Sequence, residues 1–143
     1  MISKMQIRKS TYKKLLNMPS VPPEMGGILG SKNNVIDEIK FDRKITSCES
    51  GIYVPDVKIL NKYIREWNKR RIQFQGLFHT HAFNWPELSQ ADKEYIVCIM
   101  KAMPEVVNQL YFPLIFPNSH VRGFLAKKVK VDIEIIEDVI EVI

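Results

Sequence analysis

The chain contains three histidines, and two of them share one tripeptide, His79-Thr80-His81. After seven intervening residues comes Ser89-Gln90-Ala91-Asp92. Side chains alternate along a strand, so His79 and His81 would project from one face if their segment is extended. Two imidazoles so placed can share a single metal ion. If a helix opens at Ser89, Asp92 falls in its first turn and can swing back toward the histidines, because residues three apart share a helix face. Two ring nitrogens and one carboxylate oxygen leave the fourth position of a tetrahedral zinc site to water, the layout of a catalytic site and not of a closed structural one. Two readings without metal use the same residues. Ser-x-x-Asp is also a capping box, which starts a helix with no ion. Two strand histidines could also be hydrogen-bonded members of a core, but two of only three histidines falling in one tripeptide, with Ser-x-x-Asp at this spacing, favours the metal.

The elements that must carry these residues can be read from periodicity. Residues 72–81 predict a strand, with Phe74 and Phe78 on either side of Gly76. Residues 89–103 predict a helix stopped by Pro104. Upstream, residues 7–18 predict a helix ended by Pro19 and Pro22-Pro23. Gly26-Gly27-Ile28-Leu29-Gly30 opens a short buried strand, and Asn33-Asn34 turns it into a hairpin with residues 35–42. Residues 42–50 read as a loop or a short irregular strand. Val54-Pro55-Asp56 opens a helix in which Val57, Leu60, Ile64 and Trp67 recur at helical spacing, with Arg70-Arg71 at the end the helix dipole favours. Residues 106–116 and 121–128 predict strands. Residues 129–135 alternate with period two, and then Ile136, Val139, Ile140 and Ile143 shift to helical spacing. That tail is open among a terminal helix, a strand extension and a contact surface. The expected architecture is one α/β domain over residues 1–143, a mixed β-sheet flanked by α-helices.

Composition narrows the function classes. The 143 residues include 21 Lys and Arg against 16 Asp and Glu, a formal charge of +5, with 45% apolar and 26% charged residues. Those proportions are ordinary for a globular domain, and the length suffices for a real core but not for two domains of typical size. No apolar run approaches the roughly 18 residues of a membrane helix. Residues 1–10 carry Lys4, Arg8 and Lys9 and do not resemble a secretory signal, so a cytoplasmic protein without a membrane partner is expected. Cys48 and Cys98 cannot form a disulfide framework or a four-cysteine zinc site, and Cys98 reads as a small buried hydrophobe. Bases cluster at residues 4–14 and 58–71, whereas residues 131–143 hold five acids and no base. The basic clusters read as solvated helix faces, or as a face for an acidic partner. Nucleic-acid binding is not expected, because no aromatic-interleaved basic stripe or known module accompanies the charge. The apolar alternation after Val129 would allow a homodimer edge. His120 reads as a surface residue at a turn.

The spacing His79-x-His81, seven residues, Ser89-x-x-Asp92 is similar to the signature of the JAMM (MPN-plus) family of zinc metalloproteases. Pro23-Glu24-Met25-Gly26-Gly27-Ile28-Leu29-Gly30 resembles that family's upstream glutamate before a glycine-rich strand, and Gln75-Gly76-Leu77-Phe78 resembles the strand that leads into the histidines. The similarity runs over roughly residues 24–125. It implies that His79, His81 and Asp92 hold one Zn2+ per chain, that Glu24 is the general base, and that Ser89 stabilises the oxyanion. It implies a mixed sheet flanked by helices, with the layering of cytidine deaminases. It further implies hydrolysis of an isopeptide or peptide bond after the C-terminal tail of a ubiquitin-like protein. A non-catalytic interaction module and processing of a sulfur-carrier adduct are the alternatives. Glu38, Glu49 and Glu87 are the other candidate bases, without the glycine context. The chain departs from the family at Ala82, where many members carry Pro, and it has little room for the inserted segments that select among polyubiquitin linkages.

Overall fold

A computed structural model describes residues 4–19, 24–42, 57–81 and 86–143. Eleven elements follow in order: β1 (Lys4–Ile7), α1 (Lys9–Leu16), β2 (Gly26–Lys32), β3 (Val35–Phe41), α2 (Val57–Lys69), β4 (Gln73–Thr80), α3 (Gln90–Ala102), β5 (Gln109–Tyr111), β6 (Leu114–Phe116), β7 (His120–Val129) and β8 (Asp132–Val142). The expected helix-flanked α/β sheet is not what forms. The strands run β2-β3-β1-β8-β7-β5-β4, and β4 pairs again with β2, so the sheet closes on itself as a mixed β-barrel. β5 and β6 are two halves of one stave, since both lie between β4 and β7. Phe112-Pro113 interrupts that stave, and Pro113 has no N–H to give to a ladder. The barrel therefore has seven staves, and among the described residues strand outweighs helix.

Closure depends on the two ends of the described chain. β1 pairs in parallel with β8, Met5 opposite Ile140 and Ile7 opposite Val142, and also with β3 through Ile7 and Ile36. Ile7, expected to begin a helix, is instead the last residue of that strand, and α1 starts two residues later. The tail resolves as a strand extension. Residues 129–135 do not form one strand, because Lys130 takes a positive φ of 58° and turns β7 into the antiparallel β8. The hairpin at Asn33-Asn34 forms as expected, both residues at positive φ as a type I′ turn requires.

Two apolar clusters follow from strand alternation. Every stave sends side chains inward, among them Met5, Ile7, Leu29, Ile36, Phe78, Ile115 and Leu125, and α1 adds Leu15 and Met18 to this interior. The neighbouring residues Ile28, Leu77, Leu114 and Phe124 point outward instead, where Leu60 and Trp67 of α2 and Ile96 and Met100 of α3 cover them. Two glycines are dictated by close approach. A Cβ on Gly27 would collide with the Lys40 carbonyl, and one on Gly76, whose φ is +151°, would collide with the Tyr111 carbonyl. Cys98 is exposed and not buried as its apolar surroundings in sequence imply. Among the described residues, no helix is long and apolar enough to cross a membrane.

Candidate metal centre

The site forms on the outer face of the sheet, where β4 ends beside the start of α3. His79 and His81 alternate with Thr80, so both rings leave the same face, and their centroids lie 4.9 Å apart. Backbone bonds hold this end of the strand on both sides. Thr80 N–H donates to the Met25 carbonyl at 2.8 Å, and His81 N–H donates to the Ile115 carbonyl at 2.9 Å. Thr80 does a second task with its side chain, whose oxygen accepts from Met25 N–H at 2.9 Å. Thr80 thus fixes the residue next to Glu24, and Gly26 pairs in register with His79. The result is that Glu24, His79 and His81 offer ligand atoms all within 4.8 Å of one another, although Glu24 lies 55 residues before His79 in sequence.

Asp92 arrives from the other side. Ser89 caps α3 through both halves of a capping box: Asp92 N–H donates to Ser89 Oγ at 3.0 Å, and Ser89 N–H donates to Asp92 Oδ2 at 2.9 Å. The same carboxylate meets both histidines, Oδ1 at 3.2 Å from His79 Nε2 and Oδ2 at 3.0 Å from His81 Nε2. His79, His81 and Asp92 are 1%, 2% and 2% exposed. Burial alone pushes the Asp92 carboxyl up, but the hydrogen bonds from His79 and His81, with the His79 charge and the Ser89 N–H, outweigh it and hold it far below the usual carboxylate range. The capping box and the histidine cluster are therefore one structure, and the two readings of Ser-x-x-Asp do not compete.

The donor set could hold a metal ion such as zinc. Ligands about 2.0–2.1 Å from a tetrahedral zinc lie roughly 3.3 Å from each other, close to the separations between the Asp92 oxygens and the two Nε2 atoms. The set is two imidazoles and a carboxylate, with a second carboxylate within reach, and it is buried where charged groups must be paired.

Two further residues shape the site. Tyr95, three residues after Asp92 on α3, places its hydroxyl 3.3 Å from His79 Nδ1. Burial first, then the charges of Asp92 and Glu24, raise its pKa well above 10, so it stays a neutral phenol. A phenol can donate or accept, so it accommodates either His79 tautomer and turns Nε2 toward Asp92. In sequence Tyr95 reads as part of an apolar helix stretch, and its spacing from Asp92 is the signal that would have found it. Arg122 on β7 ties down the segment before Ser89, donating to the Pro86 carbonyl at 2.6 Å and to Glu87 at 3.0 Å while it grips Glu137 at 2.8 Å. His120 is at the surface as expected, stacked on Phe116. Glu38 pairs with Arg70, and Glu87 with Arg122, so neither joins the cluster. Cys48, Glu49, Ala82, Phe83 and Trp85 lie outside the described residues.

These features define a closed mixed barrel with a buried His-His-Asp cluster and an adjoining glutamate on its outer face. No family model matches the chain, and no curated protein does. Among solved structures, protein DSY2949 from Desulfitobacterium hafniense is similar, with a TM-score of 0.67, 19% sequence identity, and coverage of 100% of this chain and 94% of that chain. At that identity the likeness concerns the fold alone.

Proposed function

We propose that this protein is a zinc-dependent hydrolase of peptide or isopeptide bonds, with one Zn2+ per chain held by His79, His81 and Asp92. The observation that carries the reading is the convergence of both histidine Nε2 atoms on one buried carboxylate, at 3.2 and 3.0 Å, with Glu24 beside them. A bound zinc ion would supply Lewis acidity toward a scissile carbonyl and a lowered pKa for water. The chain's own residues do the rest. Glu24 takes a proton from the attacking water and returns it to the leaving amine. Ser89 Oγ already accepts from Asp92 N–H, so its own proton is available to donate to the oxyanion. Tyr95 holds His79 in register, and Thr80 holds Met25, the residue that links Glu24 to β2. The barrel removes the layered fold from the argument, so the resemblance to JAMM proteases supports the reading through Glu24, His79, His81, Ser89 and Asp92 only. The same resemblance favours the C-terminal tail of a ubiquitin-like protein as substrate.

The test joins metal analysis to cleavage. Native mass spectrometry should find one zinc per chain in the wild type and none in His79→Ala. Glu24→Gln should keep the zinc and lose about 10²- to 10⁴-fold in turnover of linear and isopeptide-linked modifier fusions, the usual worth of a general base. A wild-type protein that takes up no zinc at neutral pH would end this reading.

A further inference from the structure

Two helical turns along α3 from Asp92, a cavity of about 450 Å3 opens between α2 and α3. The sheet supplies Ile28, Phe74 and Leu77, and the helices supply Leu60, Ile64 and Met103. Polar side chains enter the lining at Asn61 and Cys98, and both are exposed. The volume lies within the range of small-molecule sites. An apolar cavity of 150 Å3 takes benzene, so this one accommodates roughly 18 non-hydrogen atoms.

The sign of the ligand's charge comes from α2. Lys58, Lys62, Arg65 and Lys69 recur at +4, +3 and +4, a single stripe along the exposed face of the helix. Lys58 lies three residues before Asn61 and Arg65 four after it, so both flank the polar edge of the cavity. None of the four bases forms an ion pair among the described residues. The facing helix sets Glu94 and Lys101 on the same side as Cys98, where their charges offset, and Glu66 lies on the far flank of the α2 stripe. An apolar cavity with a basic rim on one side suits an amphiphile with an anionic head.

We propose that this cavity binds a single-chain fatty carboxylate of about ten to sixteen carbons, the length set by the cavity volume. The alkyl chain lies between α2 and α3 over Ile28 and Leu77, and the carboxylate sits at Asn61 between Lys58 and Arg65. The site uses none of the metal ligands and stands independently of the hydrolase reading.

Titration calorimetry with monomeric decanoate tests it, with decanol as the neutral probe. One decanoate should bind per chain, and equally to His79→Ala. Lys58→Glu/Arg65→Glu should weaken decanoate by about tenfold, as expected for two partly screened charges, and leave decanol unchanged. Ala102→Trp, at the cavity lining, should abolish both. In a Cys48→Ser background, decanoate should slow alkylation of Cys98 with the same half-saturation point. That readout uses the unaltered cavity, so it decides the matter even if the Trp variant does not fold. Absence of saturable binding, alkylation of Cys98 indifferent to decanoate, or decanoate affinity unchanged in the double charge variant would overturn the proposal.

Discussion

At the residue scale, the candidate centre is a set of shared obligations. Asp92 caps a helix, meets two histidines and is held ionised by them. Tyr95 is the residue whose role separates metal binding from folding. Tyr95→Phe removes the hydroxyl at His79 Nδ1 and keeps the ring packed near Phe112. Zinc affinity should fall about 10- to 100-fold, the usual effect of losing an outer partner of a ligating histidine, measured by competition with a chromophoric chelator. The metal-free stability should fall by only about 1 kcal/mol. A variant that binds zinc as tightly as the wild type would remove Tyr95 from the site.

At the element scale, Ser89 can be split into its two tasks. Ser89→Ala deletes the cap and should cost about 1 kcal/mol, or roughly 2–4 °C in Tm for a chain of this size. Ser89→Gly should cost only a few tenths of that. Both lack the hydroxyl donor, so both should lose about 10²-fold or more in kcat if Ser89 stabilises the oxyanion. These stability losses with unchanged kcat would make Ser89 a cap alone. β4 carries a second demand of this kind. Gly76→Ala puts a Cβ against the Tyr111 carbonyl at a backbone conformation reserved for glycine, and should destabilise by about 2 kcal/mol or more in urea unfolding. A loss below 0.5 kcal/mol would contradict that geometry.

At the scale of the whole molecule, the barrel stands on the β1–β8 seam. Ile140→Pro, opposite Met5, breaks that ladder and should cost roughly 3 kcal/mol or more, with loss of the cooperative unfolding transition as the sign that closure has failed. Alkaline pH probes both apolar layers, Tyr111 inside the barrel and Tyr95 under α3. Burial, then the charge and hydrogen bond of Asp138, push Tyr111 up to about 12, and Tyr95 is raised well above 10. Unfolded tyrosines titrate near 10. The folded chain therefore holds these two protons more tightly, so their contribution to stability is fully present below pH about 10 and is lost as pH rises toward 12. Phenolate absorbance should show both tyrosines ionising after the others, together with a falling urea midpoint. Ionisation of all tyrosines near pH 10 in folded protein would refute this.

What could be read from residues alone was local. The His-x-His face, the Ser89 cap, the Asn33-Asn34 turn and the amphipathic run of α2 each depend on neighbours within about thirteen positions, where alternation and helical period set which side chains meet. Asp92 reached the histidines because all three lie within that span. The helix-flanked sheet failed as an expectation for the opposite reason. Lys4 to Ile7 is too short to announce itself as a strand, and its partner Val139 to Val142 carries a spacing that also fits a helix. Only the pairing of those two distant segments settles both, and that pairing turns a sheet into a barrel. Glu24 belongs to the same category. Its place beside His79 comes from the register of β2 on β4, a contact that no local period encodes, whereas Tyr95 follows Asp92 by three positions on α3 and is local to it.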